Sequence, residues 1–308
     1  MRDDLTTAVR SRHLTVVGVA CGAGARDDRC KDGPARFRES AAADALRDQA
    51  LDWRQTPEDL CAPHLMPLQA IARTAAWVAN VTHGLAARGD NFAAIGGDHS
   101  CAIGIWSGVA EARRSSGPLG LIWIDAHMDM HVPGTSHSGA INGMPAAVLL
   151  GHGFPELTAI ARVPAIKARH ICLVGVRSFE PEEAELMEGL GIRVIGINEV
   201  RRHGIEAALA EARAIATDGT CGYGVSLDLD AFDPADAPGV GTPVPEGIRA
   251  NGFLDQWRVL CRDPACCGIE IAEYNPALDI AGRTVRLMGE LVTSWAGREK
   301  MHERVQQT

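Results

Sequence analysis

The sequence predicts a doubly wound α/β fold, on three observations. Short apolar runs rich in β-branched residues recur along the chain, stretches with helical three-four spacing lie between them, and clusters of aspartate and histidine follow directly on several runs. Continuous rather than alternating apolar runs suit strands buried on both faces, the habit of parallel sheets. Strand–helix alternation builds such sheets.

In chain order, the first strand is expected over residues 14–20. Residues 22–64 are polar and give little beyond a loop and a helix beginning near Gly33-Pro34. Leu68, Ile71, Ala75, Val78, Val81 and Leu85 mark a helix that should stop near Gly89-Asp90. Strands follow at 92–95 and 119–124, then a loop at 131–143 rich in Gly, Ser, Thr and His. A loop directly after a strand end is where α/β enzymes build their sites. Strands are next expected at 170–176 and 192–197. Between these two, Pro181-Glu182-Glu183 reads as a first helical turn, with proline and acids where the helix dipole favours them. Ile205, Leu209, Ala212 and Ile215 mark a helix ending before Asp218-Gly219, and strands at 223–227 and 268–272 complete the series. With no internal repeat and no low-complexity linker, residues 1–308 read as one domain.

Composition narrows the function. The 308 residues are 46% hydrophobic and 22% charged, enough for a sizeable core and too apolar for global disorder. Thirty basic against 39 acidic residues, a formal charge of −9, argue against a nucleic-acid partner. No apolar run reaches about 18 residues without charge, so no membrane span is expected. Met1-Arg2-Asp3-Asp4-Leu5 does not open a signal peptide. The nine cysteines contain no Cys-x-x-Cys pair, so reduced thiols in a cytoplasmic protein are expected.

Three segments carry the chemistry, each after an expected strand: Gly96-Gly97-Asp98-His99, Asp125-Ala126-His127-Met128-Asp129, and Ser226-Leu227-Asp228-Leu229-Asp230-Ala231-Phe232-Asp233-Pro234. A weaker fourth runs from Glu270 through Glu273 to Pro276. Alone, each Asp or His reads more readily as a capping or loop residue. Together they crowd carboxylates and imidazoles at one sheet edge, where unpaired carboxylates repel and take up protons. Multivalent cations remove that conflict. Carboxylate with some imidazole suits manganese, with iron, cobalt or nickel as alternatives. The absence of cysteine from the motifs argues against structural zinc. Asp125, His127 and Asp129 alternate, as do Asp228 and Asp230, so each segment can aim its ligands to one side.

These segments, in this order, make the sequence resemble the ureohydrolase family of arginases and agmatinases, and closest to bacterial arginase, from Val16 to Trp295. The resemblance implies a single arginase-type domain, a three-layer sandwich around a mainly parallel eight-stranded sheet, and two manganese ions per subunit. By motif position one ion takes His99, Asp125, Asp129 and Asp228, and the other Asp125, His127, Asp228 and Asp230. The implied reaction is hydrolysis of a small guanidino substrate to urea and an amine by a hydroxide bridging the metals. A guanidinium carbon is a poor electrophile, and paired metals bring a water's pKa towards about 7. Asp129 would carry the proton to the leaving nitrogen, and Glu273 would pair with the guanidinium. The resemblance also implies a homo-oligomer, trimer or hexamer.

Substrate choice falls on the loop. His131, Ser136 and Ser138 stand where arginases hold an α-carboxylate, with His131 in place of a usual asparagine and Ala140 in place of another. Glu180 and Glu183 match acidic positions that hold an α-ammonium, and they favour L-arginine, giving L-ornithine, over agmatine or another guanidino compound. The same two acids also suit a solvated first helical turn. The sharpest departure is Asn142, where the family usually has a proton-shuttling histidine and where asparagine cannot titrate. It implies a slow enzyme, a substitute shuttle such as His131 or His137, a substrate with a better leaving group, or a metal-binding but catalytically idle protein.

Overall fold

Eight strands form one sheet: β1 (Thr15–Val19), β2 (Asp52–Gln55), β3 (Phe92–Gly96), β4 (Leu119–Ile124), β5 (Ile166–Val174), β6 (Arg193–Ile195), β7 (Tyr223–Asp228) and β8 (Cys266–Ala272). Their order is β2-β1-β3-β8-β7-β4-β5-β6, and every pairing is parallel. The computed structural model describes residues 14–47, 51–161 and 164–297. The ends of the expected 1–308 span, including Met1 to Leu5, lie outside the described residues.

Helices cover both faces because alternate strand residues point to opposite cores. In β4, Ile122 and Ile124 join Ala212, Trp257 and Leu291 from helices Ile205–Thr217, Ala250–Arg262 and Arg283–Ala296. Leu121 and Trp123 join Val78, Leu85 and Trp106 from helices Pro67–Arg88 and Cys101–Arg113. Both sets are buried, which explains the unbroken apolar runs. Helix Pro67–Arg88 ends as expected, on Gly89 at φ 70°.

The differences from expectation have local causes. β2 was not expected: its sequence, Asp-Trp-Arg-Gln, sits at the sheet edge, half in solvent, and carries no apolar run. β5 begins at Ile166 rather than 170, because Lys167, Ala168 and Arg169 are exposed or half-buried and its pairing with β4 shifts register between Leu119 and Leu121. The run at 192–197 is a strand only to Ile195, and Ile197 opens a helix to His203. Helix Cys101–Arg113 is buried through its first ten residues, so it shows no amphipathic period. No disulfide forms among the described residues, and no described helix is long and apolar enough to cross a membrane.

Candidate metal centre and substrate cavity

Register brings the motifs together. Ile124 of β4 pairs with Leu227 of β7, Leu227 with Ile271 of β8, and Ile271 with Ile95 of β3. The four central strands therefore end level, and the segments that follow them meet at one carboxyl edge. There His99 Nδ1 lies 3.2 Å from Asp125 Oδ2, 3.0 Å from Asp129 Oδ2 and 3.2 Å from Asp228 Oδ2. His127 Nδ1 lies 3.1 Å from Asp230 Oδ2 and 3.5 Å from Asp125 Oδ1. The ligand atoms fall into two groups that share Asp125: His99, Asp125 and Asp228, and Asp125, His127 and Asp230.

The backbone is bent to make this arrangement. Asp129 and Glu273 have φ of 53° and 67°, the left-handed region that non-glycine residues avoid. Such strain costs on the order of 1–3 kcal/mol per residue and persists where the surroundings impose it. Gly97 has no room for a side chain, since a Cβ would overlap the Cys21 carbonyl oxygen. Asp98 is fully buried and anchors neighbouring loops, accepting from Gly24 N at 2.8 Å and Ser100 N at 2.9 Å. Asp233 is a turn residue, accepting from Ala235 N and Gly247 N.

The electrostatics of the protein groups alone are unbalanced. Burial, then the charge of Asp125, pushes the Asp129 carboxyl up to about 8. Burial, then Asp230 and Asp125, holds Asp228 well above the carboxylate range. Burial works against protonation of both histidines, but the surrounding carboxylates override it and hold His99 and His127 well above the ordinary imidazole value. Burial followed by Asp98 pushes Glu273 up to about 7. His99 Nδ1 and Asp129 Oδ2 are buried and make no hydrogen bond of proper geometry. Buried polar atoms seldom lack partners. Divalent cations fit this donor set: they would supply the missing partner to both atoms and would remove the carboxylate repulsion.

A cavity of about 400 Å³ opens onto this cluster, lined by His127, Asp129, Asp228 and Glu273 within and by His131, Ser138, Asn142, Glu180 and Glu183 further out. Glu273 Oε1 accepts from His99 N and from Asn142 Nδ2, both at 2.9 Å. Ser136 is half-buried, does not line the cavity and ties its own loop, accepting from Gly139 N at 3.1 Å. His137 is exposed and does not line the cavity. Glu180 and Glu183 form a capping box on helix Pro181–Gly189. Buried Glu183 accepts from Met130 N at 3.1 Å and Glu180 N at 3.0 Å. His131 Nε2 reaches Glu180 Oε2 at 2.9 Å, and its Nδ1 lies 3.1 Å from Thr135 Oγ1. Arg26 also lines the cavity, exposed and without a carboxylate partner among the described residues. Nothing in the local sequence singles out Arg26, because its loop reaches the cavity only through the fold.

A parallel sheet with such a cluster at its carboxyl edge, beneath an open cavity, has the form of a metal-dependent hydrolase site. The Arginase family model matches residues 12–297, and the chain belongs to that family. Arginase from Bacillus caldovelox is 38% identical over 238 residues, 77% of this chain and 79% of the relative. Arginase from Brevibacillus brevis is 32% identical over 93% of this chain and 98% of its own length. The crystal structure of arginase from Bacillus subtilis superposes with a TM-score of 0.83 at 30% identity, covering 92% and 98% of the two chains.

Proposed function

We propose that the protein hydrolyses the guanidino group of L-arginine to urea and L-ornithine, using two manganese ions held by His99, Asp125, His127, Asp129, Asp228 and Asp230. The observation that carries this reading is the pair of buried, unsatisfied atoms, His99 Nδ1 and Asp129 Oδ2, facing one another among carboxylates. The arginase names of the relatives support the substrate. When bound, the ions supply a strong nucleophile from water at neutral pH.

The chain's own groups do the rest. Glu273 Oε1 is tied to His99 and Asn142, which leaves Oε2 for a guanidinium N–H. Asn142 holds Glu273 in place and moves no proton. Asp129, which also lines the cavity, carries the proton from the attacking water to the leaving nitrogen. Further out, Ser138 offers a hydroxyl to the substrate's carboxylate, and Glu180 faces its ammonium. The same reading includes a cytoplasmic enzyme and a homo-oligomer, trimer or hexamer, which a sizing measurement checks.

One observation favours a second substrate. His131 already occupies Glu180, and Arg26 stands at the cavity without a carboxylate partner among the described residues. A guanidino acid without an α-ammonium matches that mouth, with Arg26 taking its carboxylate. The test is urea release by manganese-loaded protein on arginine, agmatine and 4-guanidinobutyrate. Arginine turned over fastest supports the first reading, and 4-guanidinobutyrate fastest replaces it with the second. No urea from any of them, with metal bound, leaves the idle metal binder that Asn142 suggests.

A further inference from the structure

A carboxylate in the middle of a central strand is costly to bury. Glu270 sits in that position in β8 with no exposed surface. No lysine or arginine pairs with it among the described residues. Instead it accepts three bonds. Trp106 Nε1 donates to Oε2 at 2.7 Å, Ser226 Oγ donates to the same oxygen at 2.8 Å, and Cys101 Sγ donates to Oε1 at 3.0 Å. Ser226 is its cross-strand neighbour on β7, so the register of the sheet fixes the contact. Ser226 Oγ in turn lies 2.9 Å from His99 Nε2.

The direction of this chain follows from donor and acceptor capacity. Burial raises the Glu270 carboxyl and its three donors lower it; as the carboxylate those donors stabilise, it only accepts, so the Ser226 proton points at Glu270. The indole N–H of Trp106 is directed at the same oxygen, which therefore uses its lone pairs on two donors. The Ser226 hydroxyl has one proton, and with it committed the oxygen can only accept from His99. His99 Nε2 must then carry hydrogen, which leaves Nδ1, facing Asp125, Asp129 and Asp228, as the nitrogen a cation can take. Stacking on Trp123, at 4.3 Å between ring centroids and 20° between planes, fixes the ring's tilt. The reverse direction, with a proton on Glu270, would put hydrogen on Nδ1 and bar it from a cation. The two directions exclude one another.

We propose that Glu270 is a positioning residue which, through Ser226, holds His99 in the tautomer that binds metal. The proposal rests on the reading of His99 as a metal ligand. Partners of this kind, one bond beyond a ligand, change metal affinity about 10–100-fold when removed.

Nitrogen-15 spectra of histidine-labelled, zinc-loaded protein read the tautomer directly. Hydrogen on His99 Nε2 is expected, and hydrogen on Nδ1 overturns the proposal without any substitution being made. Manganese affinity, measured by competition with a chelating dye, gives the second readout. Ser226→Ala should weaken the affinity of one site about 10–100-fold. Glu270→Gln should stay within a few-fold of wild type, because its amide oxygen still accepts from Ser226 and Trp106. Unchanged affinity in Ser226→Ala, or equal losses in both variants, overturns the relay. A wild type that binds no manganese sinks the metal reading itself and the relay with it, whereas a metal-binding wild type with an unaffected Ser226→Ala sinks the relay alone.

Discussion

Removing the metal should reverse the sign of the protein's stability dependence on pH. In the metal-free fold the Asp129 carboxyl is pushed up to about 8 from an ordinary 3.8. At pH 7 the unfolded chain is ionised there and the folded chain is not. Each pH step corresponds to about 1.36 kcal/mol, so the roughly three steps between 3.8 and 7 make a cost of about 4 kcal/mol. The sign follows from proton counts. Between 3.8 and about 8 the folded state binds the extra proton, so stability is full below that window and falls as pH rises through it. Asp228, His99 and His127, all raised, act in the same direction. Asp125 is lowered and acts oppositely, but only below 3.8. The loaded protein has the opposite slope, because metal binding needs deprotonated ligands and releases protons. Urea denaturation of chelator-stripped and manganese-loaded protein, from about pH 5 to about pH 8, measures both slopes. Stripped protein should lose several kcal/mol across that range while loaded protein gains. Parallel curves, or a stripped form that is more stable at the higher pH, would refute the reasoning that cations balance these carboxylates.

Three further outcomes are expected. Asn142→His should raise kcat on arginine about tenfold by restoring a titratable group beside Glu273, with KM moving less, as steady-state kinetics on the loaded enzyme will show. Arg26→Ala should raise KM for a guanidino carboxylate on the order of tenfold and leave agmatine, which has no carboxylate, little changed. Equal effects on both substrates would remove Arg26 from the binding site. Gly104→Ala should destabilise the fold by about 1–3 kcal/mol in chemical denaturation, because the new methyl overlaps the Ala75 carbonyl and Val78 where helices Pro67–Arg88 and Cys101–Arg113 meet.

The amphipathic helices show how far the sequence reaches. Leu68 to Leu85 predicts Pro67–Arg88, because one face is buried and the other wet. Phe253, Leu254, Trp257, Leu260 and Cys261 carry the same signal in Ala250–Arg262, as do Leu287, Met288, Leu291, Val292 and Trp295 in Arg283–Ala296, although neither helix was expected. Cys101–Arg113 is different in kind: buried nearly throughout, it has no polar face to reveal its period.

The sequence by itself determined the alternation of strand and helix and the clustering of acids and histidines within each motif, because spacing along an extended segment is a local property. Asp125, His127 and Asp129 can be placed on one side without knowing any neighbour. Only the tertiary structure decided that the motifs end level, since that depends on β3, β8, β7 and β4 being adjacent and in register. It also decided that Glu180 and Glu183 cap a helix while His131 bonds to one of them, that Arg26 reaches the cavity, and that Asn142 bonds to Glu273. Glu270 shows the physical reason most clearly. From the sequence it is a charge in an apolar strand, and its meaning lies in Trp106, Ser226 and Cys101, which are 164, 44 and 169 residues away along the chain.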